Sequence, residues 1–236
     1  MTRILAHRDL IALLDPDACI EALREGFVRS GAAAVPGQRI HTDLPFPGTA
    51  TALIPGLLPG IDAYTVKVNA KFPGARPALR GVICLHSGQD GELLALLDSA
   101  TVTAWRTGLA AALGTHVLAA AGSGEGAVLG VIGAGAQAEL MVLGLRRLRR
   151  VGGLVVHDID PARAASFAAR HGGHSVGTAA EVAARADIVL VATWSRAPLL
   201  RLALAWLAYR EAERRGLGIE VDLLGPSAGS LSPGGR

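Results

Sequence analysis

Apolar and polar positions change rhythm twice along the chain. In the first thirty residues Ala18, Ile20, Ala22, Leu23, Phe27 and Val28 recur with helical spacing, which predicts an amphipathic helix with one apolar side. Asp15-Pro16 supplies its cap and a proline at its first position, and Gly31 is its stop after about Arg29. Asp9 reads as the cap of a shorter helical turn before it. From Val35 to Leu97 the helical spacing is replaced by short apolar or alternating runs, broken by Pro36-Gly37, Pro45-Phe46-Pro47-Gly48, Pro55-Gly56, Pro59-Gly60, Pro73-Gly74 and Gly88. Such a segment is β-rich, with strands expected near 50–54, 61–68, 80–85 and 93–97. In the second of these, Tyr64, Val66 and Val68 alternate with Thr65, Lys67 and Asn69, so Lys67 falls on the face opposite the valines.

A long Ala-rich helix is expected after Asp98-Ser99, reaching about Ala121, and Gly122-Ser123-Gly124 reads as a linker. Beyond it the order becomes strand, glycine turn, helix. Strands are expected at 127–132, 154–157 and 188–192, and helices at 137–149, 161–170 and 178–185. That alternation predicts a parallel α/β unit of the Rossmann kind. The fold class is therefore α/β, with an N-terminal α/β domain at 1–122 and a dinucleotide-binding domain at 123–236.

Composition narrows the function classes. Half the residues are apolar and 18% are charged, which excludes a disordered chain. The formal net charge is +3 and no Lys/Arg block is interleaved with aromatics, so no nucleic-acid partner is expected. Cys19 and Cys84 have neither metal-ligand nor redox spacing. No metal is expected, and a reducing cytoplasm suits the chain better than a disulfide scaffold. The first residues lack a signal-peptide core, and the mild stretch from Gly108 to Gly124 is too short to span a bilayer. Of the 23 basic residues only Lys67 and Lys71 are lysines. Where a chain otherwise uses arginine, a retained lysine points to a need for a compact ammonium whose pKa can be tuned.

The most specific local signal is Val128-Leu-Gly-Val-Ile-Gly133-Ala-Gly135-Ala136-Gln137-Ala138, an apolar strand followed by G-x-G-x-x-A at a helix start. Gly133 allows the tight turn, Gly135 lets the backbone approach a pyrophosphate, and Ala138 lets helix and strand pack closely. The free N–H groups of the helix start face the anion. Asp158 follows 20 residues after Ala138, at the end of the next strand, where an acid can accept from both ribose hydroxyls and repel a 2′-phosphate. NAD(H) is thus preferred and NADP(H) possible, with Arg163 nearby. Thr193 follows the strand expected at 188–192, on the side where ligands bind. Arg106 is the only charged residue between Asp98 and Glu125, and a guanidinium on so apolar a helix calls for an anion.

Several motifs occur together and in order: Thr65-Val-Lys67-Val-Asn69, Gly88-Gln-Asp-Gly-Glu-Leu-Leu-Ala95, Asp98-Ser-Ala-Thr-Val-Thr103-Ala-Trp-Arg106-Thr107-Gly, Val131-Ile-Gly-Ala-Gly-Ala-Gln137-Ala and Val156-His-Asp158-Ile-Asp160-Pro-Ala-Arg163. With them the chain resembles the ornithine cyclodeaminase/μ-crystallin family over roughly residues 5–200. The resemblance implies an NAD(P)-binding Rossmann domain, a second α/β domain that holds the substrate, and a homodimer formed through that domain. It implies Arg39 and Lys67 as substrate-carboxylate contacts and Arg106 as a bridge between substrate and cofactor. Ala136, Gln137, Asp158 and Thr193 become cofactor contacts. The expected function is NAD(P)H-dependent reduction of a small imino acid, by Lys67, Arg39 and Arg106. Ornithine cyclodeamination, with ammonia released from an amino-acid substrate, and NAD(P)H binding without turnover are the alternatives. After Leu200 the chain departs from the family pattern. Gly218–Gly225 resembles its late strand, but Pro226–Arg236 holds neither the acid nor the lysine that the pattern leads one to expect.

Overall fold

The computed structural model describes residues 2–32, 40–46, 49–72, 74–119 and 126–193. Arg39, the Gly122–Gly124 linker and the late strand expected at 218–225 lie outside the described residues. The chain opens with a short strand β1 (Arg3–Leu5), helix α1 (His7–Leu13) and helix α2 (Pro16–Ala32). Asp15 caps α2 by accepting the Ala18 N–H at 2.9 Å. Asp9 does not cap α1. It lies inside the first turn and its carboxylate accepts the N–H of Ala6, the residue at the cap.

Five further strands follow: β2 (Ile40–Asp43), β3 (Ala50–Leu57), β4 (Ala63–Lys71), β5 (Leu79–Ser87) and β6 (Leu93–Asp98). They form one sheet in the order β1-β6-β5-β4-β3-β2, antiparallel except for the β1–β6 pair. The register pairs Lys67 with Ile54 and Ile83, and Asn69 with Ala52 and Gly81. Ala52, Asn69 and Ala95 are buried on this face. The opposite face carries Ile40, Leu53 and Val68 in one cross-strand row, all exposed.

Helix α3 (Ser99–Leu118) leaves the end of β6 and is capped by Asp98, which accepts from Thr101. Its Ser99 hydroxyl donates to Asn69 Oδ1 at 2.5 Å, which fixes α3 against the Lys67 face of the sheet. The second half of the fold runs β7 (Val128–Ile132), α4 (Ala136–Leu148), β8 (Gly153–His157), α5 (Pro161–Arg170), β9 (His174–Ser175), α6 (Ala179–Arg185) and β10 (Ile188–Val191). Its four strands are all parallel, in the order β10-β7-β8-β9. Leu129, Val131, Leu145, Val156 and Phe167 make the core between this sheet and its helices. Met1–Thr193 forms one unit, and packing of α3 on α4 is what joins the two sheets within it.

Candidate functional site: a dinucleotide turn beside helix α3

Strand order reverses at β7. The chain moves from β7 to β8 and β9 on one side, then returns through α6 to place β10 on the other. In parallel α/β sheets this switch point opens a crevice at the carboxyl ends of the strands. The Gly133–Gly135 turn sits there. Gly133 has φ +95, a region costly for any residue with a side chain. A Cβ on it would also stand 2.7 Å from the Ala192 carbonyl oxygen and 3.1 Å from Thr193 Cγ2. The end of β10 therefore flanks the turn closely. The Gly133 N–H donates to the His157 carbonyl at 2.8 Å, which ties the turn to β8 as well.

Gly135 is the N-cap of α4 and has no side chain to cap it. The N–H groups of the first helical turn lack partners within the helix by construction. Gly135, Ala136 and Gln137 are exposed, while Ala138 is fully buried against the strand. A Cβ on Gly135 would meet nothing within 4 Å, so space stands open over the turn on this side. Free N–H groups, a positive helix end and open space fit an anionic diphosphate.

Asp158 follows β8 and is buried. Its Oδ2 accepts the Ala134 N–H at 2.7 Å and its Oδ1 accepts the Asp160 N–H at 2.9 Å. The Arg163 guanidinium lies 3.6 Å from Asp158 and 3.3 Å from Asp160. Thr193 is exposed beside the turn.

Arg106 lies on the middle of α3. Two residues on, Gly108 packs against the start of α4, and a Cβ there would stand 3.0 Å from the Gln137 carbonyl oxygen. The Arg106 side chain is exposed and has neither ion pair nor hydrogen bond among the described residues, so its charge carries no burial cost. It does not pair with Asp98, whose carboxylate serves Thr101. Lys67 is half-buried on the sheet face that α3 covers. Gly133, Gly135, Ala136, Gln137, Ala138, Asp158 and Thr193 thus lie around the turn at the carboxyl end of β7, and α3 packs on both the Lys67 face of the first sheet and the start of α4.

One feature of α3 escaped the motif reading. Ser99, Thr103 and Thr107 recur at i, i+4 and i+8, which puts three hydroxyls on one side of the helix. Those of Thr103 and Thr107 are buried without a hydrogen-bond partner among the described residues. The spacing alone could have revealed this polar stripe in an otherwise apolar helix. Among the described residues no group of three or more His, Cys, Asp or Glu is arranged to hold a metal ion. No described helix is long and apolar enough to cross a membrane.

The family model of the ornithine cyclodeaminase/mu-crystallin family matches residues 3–206. The L-lysine cyclodeaminase of Streptomyces rapamycinicus is 32% identical over 190 residues, covering 72% of this chain and 52% of that protein. Among solved structures, the Thermococcus litoralis Δ1-pyrroline-2-carboxylate reductase in complex with NADH and L-proline superposes with a TM-score of 0.75 at 26% identity, over 82% of this chain and 62% of that one. An archaeal alanine dehydrogenase dimer with bound NAD superposes with a TM-score of 0.71 at 27% identity, over 83% and 62% of the two chains. The chain thus spans between half and two thirds of the length of these relatives.

Proposed function

This chain belongs to the ornithine cyclodeaminase/mu-crystallin family, and on that premise we propose that it is an NAD(H)-dependent reductase of small imino acids. The observation that supports this most is the open glycine turn at the β7 switch point with α3 beside it. The solved pyrroline-2-carboxylate reductase with NADH and the alanine dehydrogenase with NAD share this fold. In this reading residues 123–236 serve the dinucleotide, and residues 1–122 serve the substrate and the dimer.

Gly135, Ala136 and Gln137 offer backbone N–H groups to the pyrophosphate, Gly133 makes the turn that exposes them, Ala138 lets α4 pack closely on β7, and Asp158 and Thr193 flank the rest of the cofactor. When bound, the nicotinamide supplies a hydride to the C=N carbon of the substrate. Arg39 and Arg106 pair with the substrate carboxylate and fix its orientation. Lys67 polarises the imine and holds a proton for its nitrogen, a role suited to an ammonium on a half-buried strand. NADH is preferred over NADPH in this account.

The second copy of a homodimer sits on the exposed sheet face that carries Ile40, Leu53 and Val68. An uncovered row of this kind marks an interaction surface, and the related alanine dehydrogenase was solved as a dimer. The protein works in the cytoplasm, where Cys19 and Cys84 remain free thiols.

A cyclodeaminase reading is favoured by the 32% identity to lysine cyclodeaminase. Two assays on the same preparation separate the readings. Loss of NADH with pyrroline-2-carboxylate or piperideine-2-carboxylate supports the reductase, and ammonia released from ornithine or lysine supports the cyclodeaminase. NADH binding with neither activity would identify a binding protein.

A further inference from the structure

We infer that Asp158 acts on the cofactor chiefly through the glycine turn, as the brace that holds the turn in its binding shape. The inference rests on the dinucleotide reading of the site. Ala134 lies between the two glycines of the turn and is buried. Its N–H points into the protein, and a buried N–H without an acceptor is costly. Asp158 Oδ2 is that acceptor, at 2.7 Å. The other oxygen accepts the Asp160 N–H at 2.9 Å. Asp160 is in turn the N-cap of α5. One carboxylate therefore joins the turn after β7 to the start of α5, and charge-assisted bonds to backbone N–H groups are among the stronger contacts available.

The carboxylate is also enclosed. Its side chain is 6% exposed, and the Arg163 guanidinium lies 3.6 Å from Oδ1. With Ala134 held inward, the backbone from Gly135 onward is left to face the open side of the turn, where the diphosphate fits. A brace has a consequence that a ribose contact does not. Its loss weakens every ligand that carries the diphosphate, whatever the substituent at the 2′ position.

The test titrates NADH, NADPH and an NADH analogue lacking the adenosine 2′ hydroxyl into the unaltered chain and into Asp158→Ala and Asp158→Asn. The brace predicts that Asp158→Ala weakens all three ligands by one common factor of about tenfold. Asp158→Asn keeps an oxygen that can accept from Ala134, so it should restore a good part of that loss, again equally for all three. Amide hydrogen exchange at Ala134 should speed up in Asp158→Ala and less in Asp158→Asn. If Asp158→Ala does not fold, Asp158→Asn still tests the common factor. Weaker NADH binding with unchanged binding of NADPH and the 2′-deoxy analogue would overturn the brace, as would unchanged affinities throughout. Failure of the unaltered chain to bind NADH would instead overturn the dinucleotide reading, and the inference with it.

Discussion

Gly108 of α3 lies against Leu140 of α4 so closely that a Cβ at position 108 would stand 2.5 Å from Leu140 Cβ. The approach is repeated one turn on, where a Cβ on Gly144 would stand 2.9 Å from that of Ala112. Glycines on both helices let their backbones meet, and this contact sets α3 against the first turns of α4. Gly108→Val should force the helices apart. Overpacking of this kind costs about 1–3 kcal/mol, and NADH affinity should fall as the start of α4 shifts. Thermal denaturation reads the first effect and titration the second. A melting temperature equal to that of the unaltered chain would show that the contact yields easily.

Lys67→Arg keeps the charge but changes its reach and its tunable amine, and Arg106→Lys loses the planar fork that grips a carboxylate. Each should lower imine reduction at least about tenfold, the scale of one lost charged hydrogen bond, and leave NADH binding less affected. The comparison of turnover with NADH affinity in the same preparations checks this. Rates like those of the unaltered chain in both variants would move substrate binding elsewhere.

The strongly periodic segments were legible from the sequence. Pro16–Ala32, the four strands from Ala50 to Asp98, Ser99–Leu118 and the β7–α4–β8 unit appear close to where spacing and caps place them. The strands β1, β2 and β9 were not. Arg3–Leu5 is three residues long and is held by pairing with Ala95–Leu97, about ninety residues away, which no local pattern records. His174–Ser175 has only two residues and no apolar alternation, and it exists because β8 offers it an edge. At the site, the glycine spacing located the turn and Asp158, but spacing does not say which atoms a carboxylate serves. Nor does an apolar helix reveal which of its sides is covered: Arg106, whose charge on that helix called for an anion, is exposed in the fold.

Glu139, in the first turn of α4, pairs with Arg170 and His171 at the end of α5. Burial raises its pKa, but hydrogen bonds and charge from Arg170 and His171 outweigh that, and the net result is a pKa below the usual range. A carboxyl depressed in the folded state contributes stability above its unfolded pKa and loses it as pH falls through the folded value. Glu139→Gln should therefore lower the melting temperature at neutral pH, by about 1–3 °C given the partial exposure of the pair. The gap to the unaltered chain should close as the pH drops below the ordinary glutamate range. A gap that persists in acid would mean that shape, and not charge, is what the substitution removes.

The proposed dimer has its own test, in which the unaltered chain is expected to sediment as a dimer. Val68→Asp puts a charge in the middle of the Ile40–Leu53–Val68 row, on the side away from Lys67. Burying an unpaired carboxylate in an interface is costly, so sedimentation should show the variant as a monomer where the unaltered chain is a dimer. A variant that still dimerises would place the interface elsewhere.

The dinucleotide turn is the centre of the proposed site, and Gly135 tests it most directly. Its φ of −99 suits any residue, and a Cβ there would meet nothing within 4 Å. Gly135→Val should therefore fold, with a melting temperature within a few degrees of the unaltered chain. The branched side chain would fill the space over the helix start where the pyrophosphate must approach. Calorimetric titration with NADH should show one site per chain in the unaltered protein and no measurable binding in Gly135→Val. Equal affinity in the two proteins would contradict the assignment of this turn as the cofactor site.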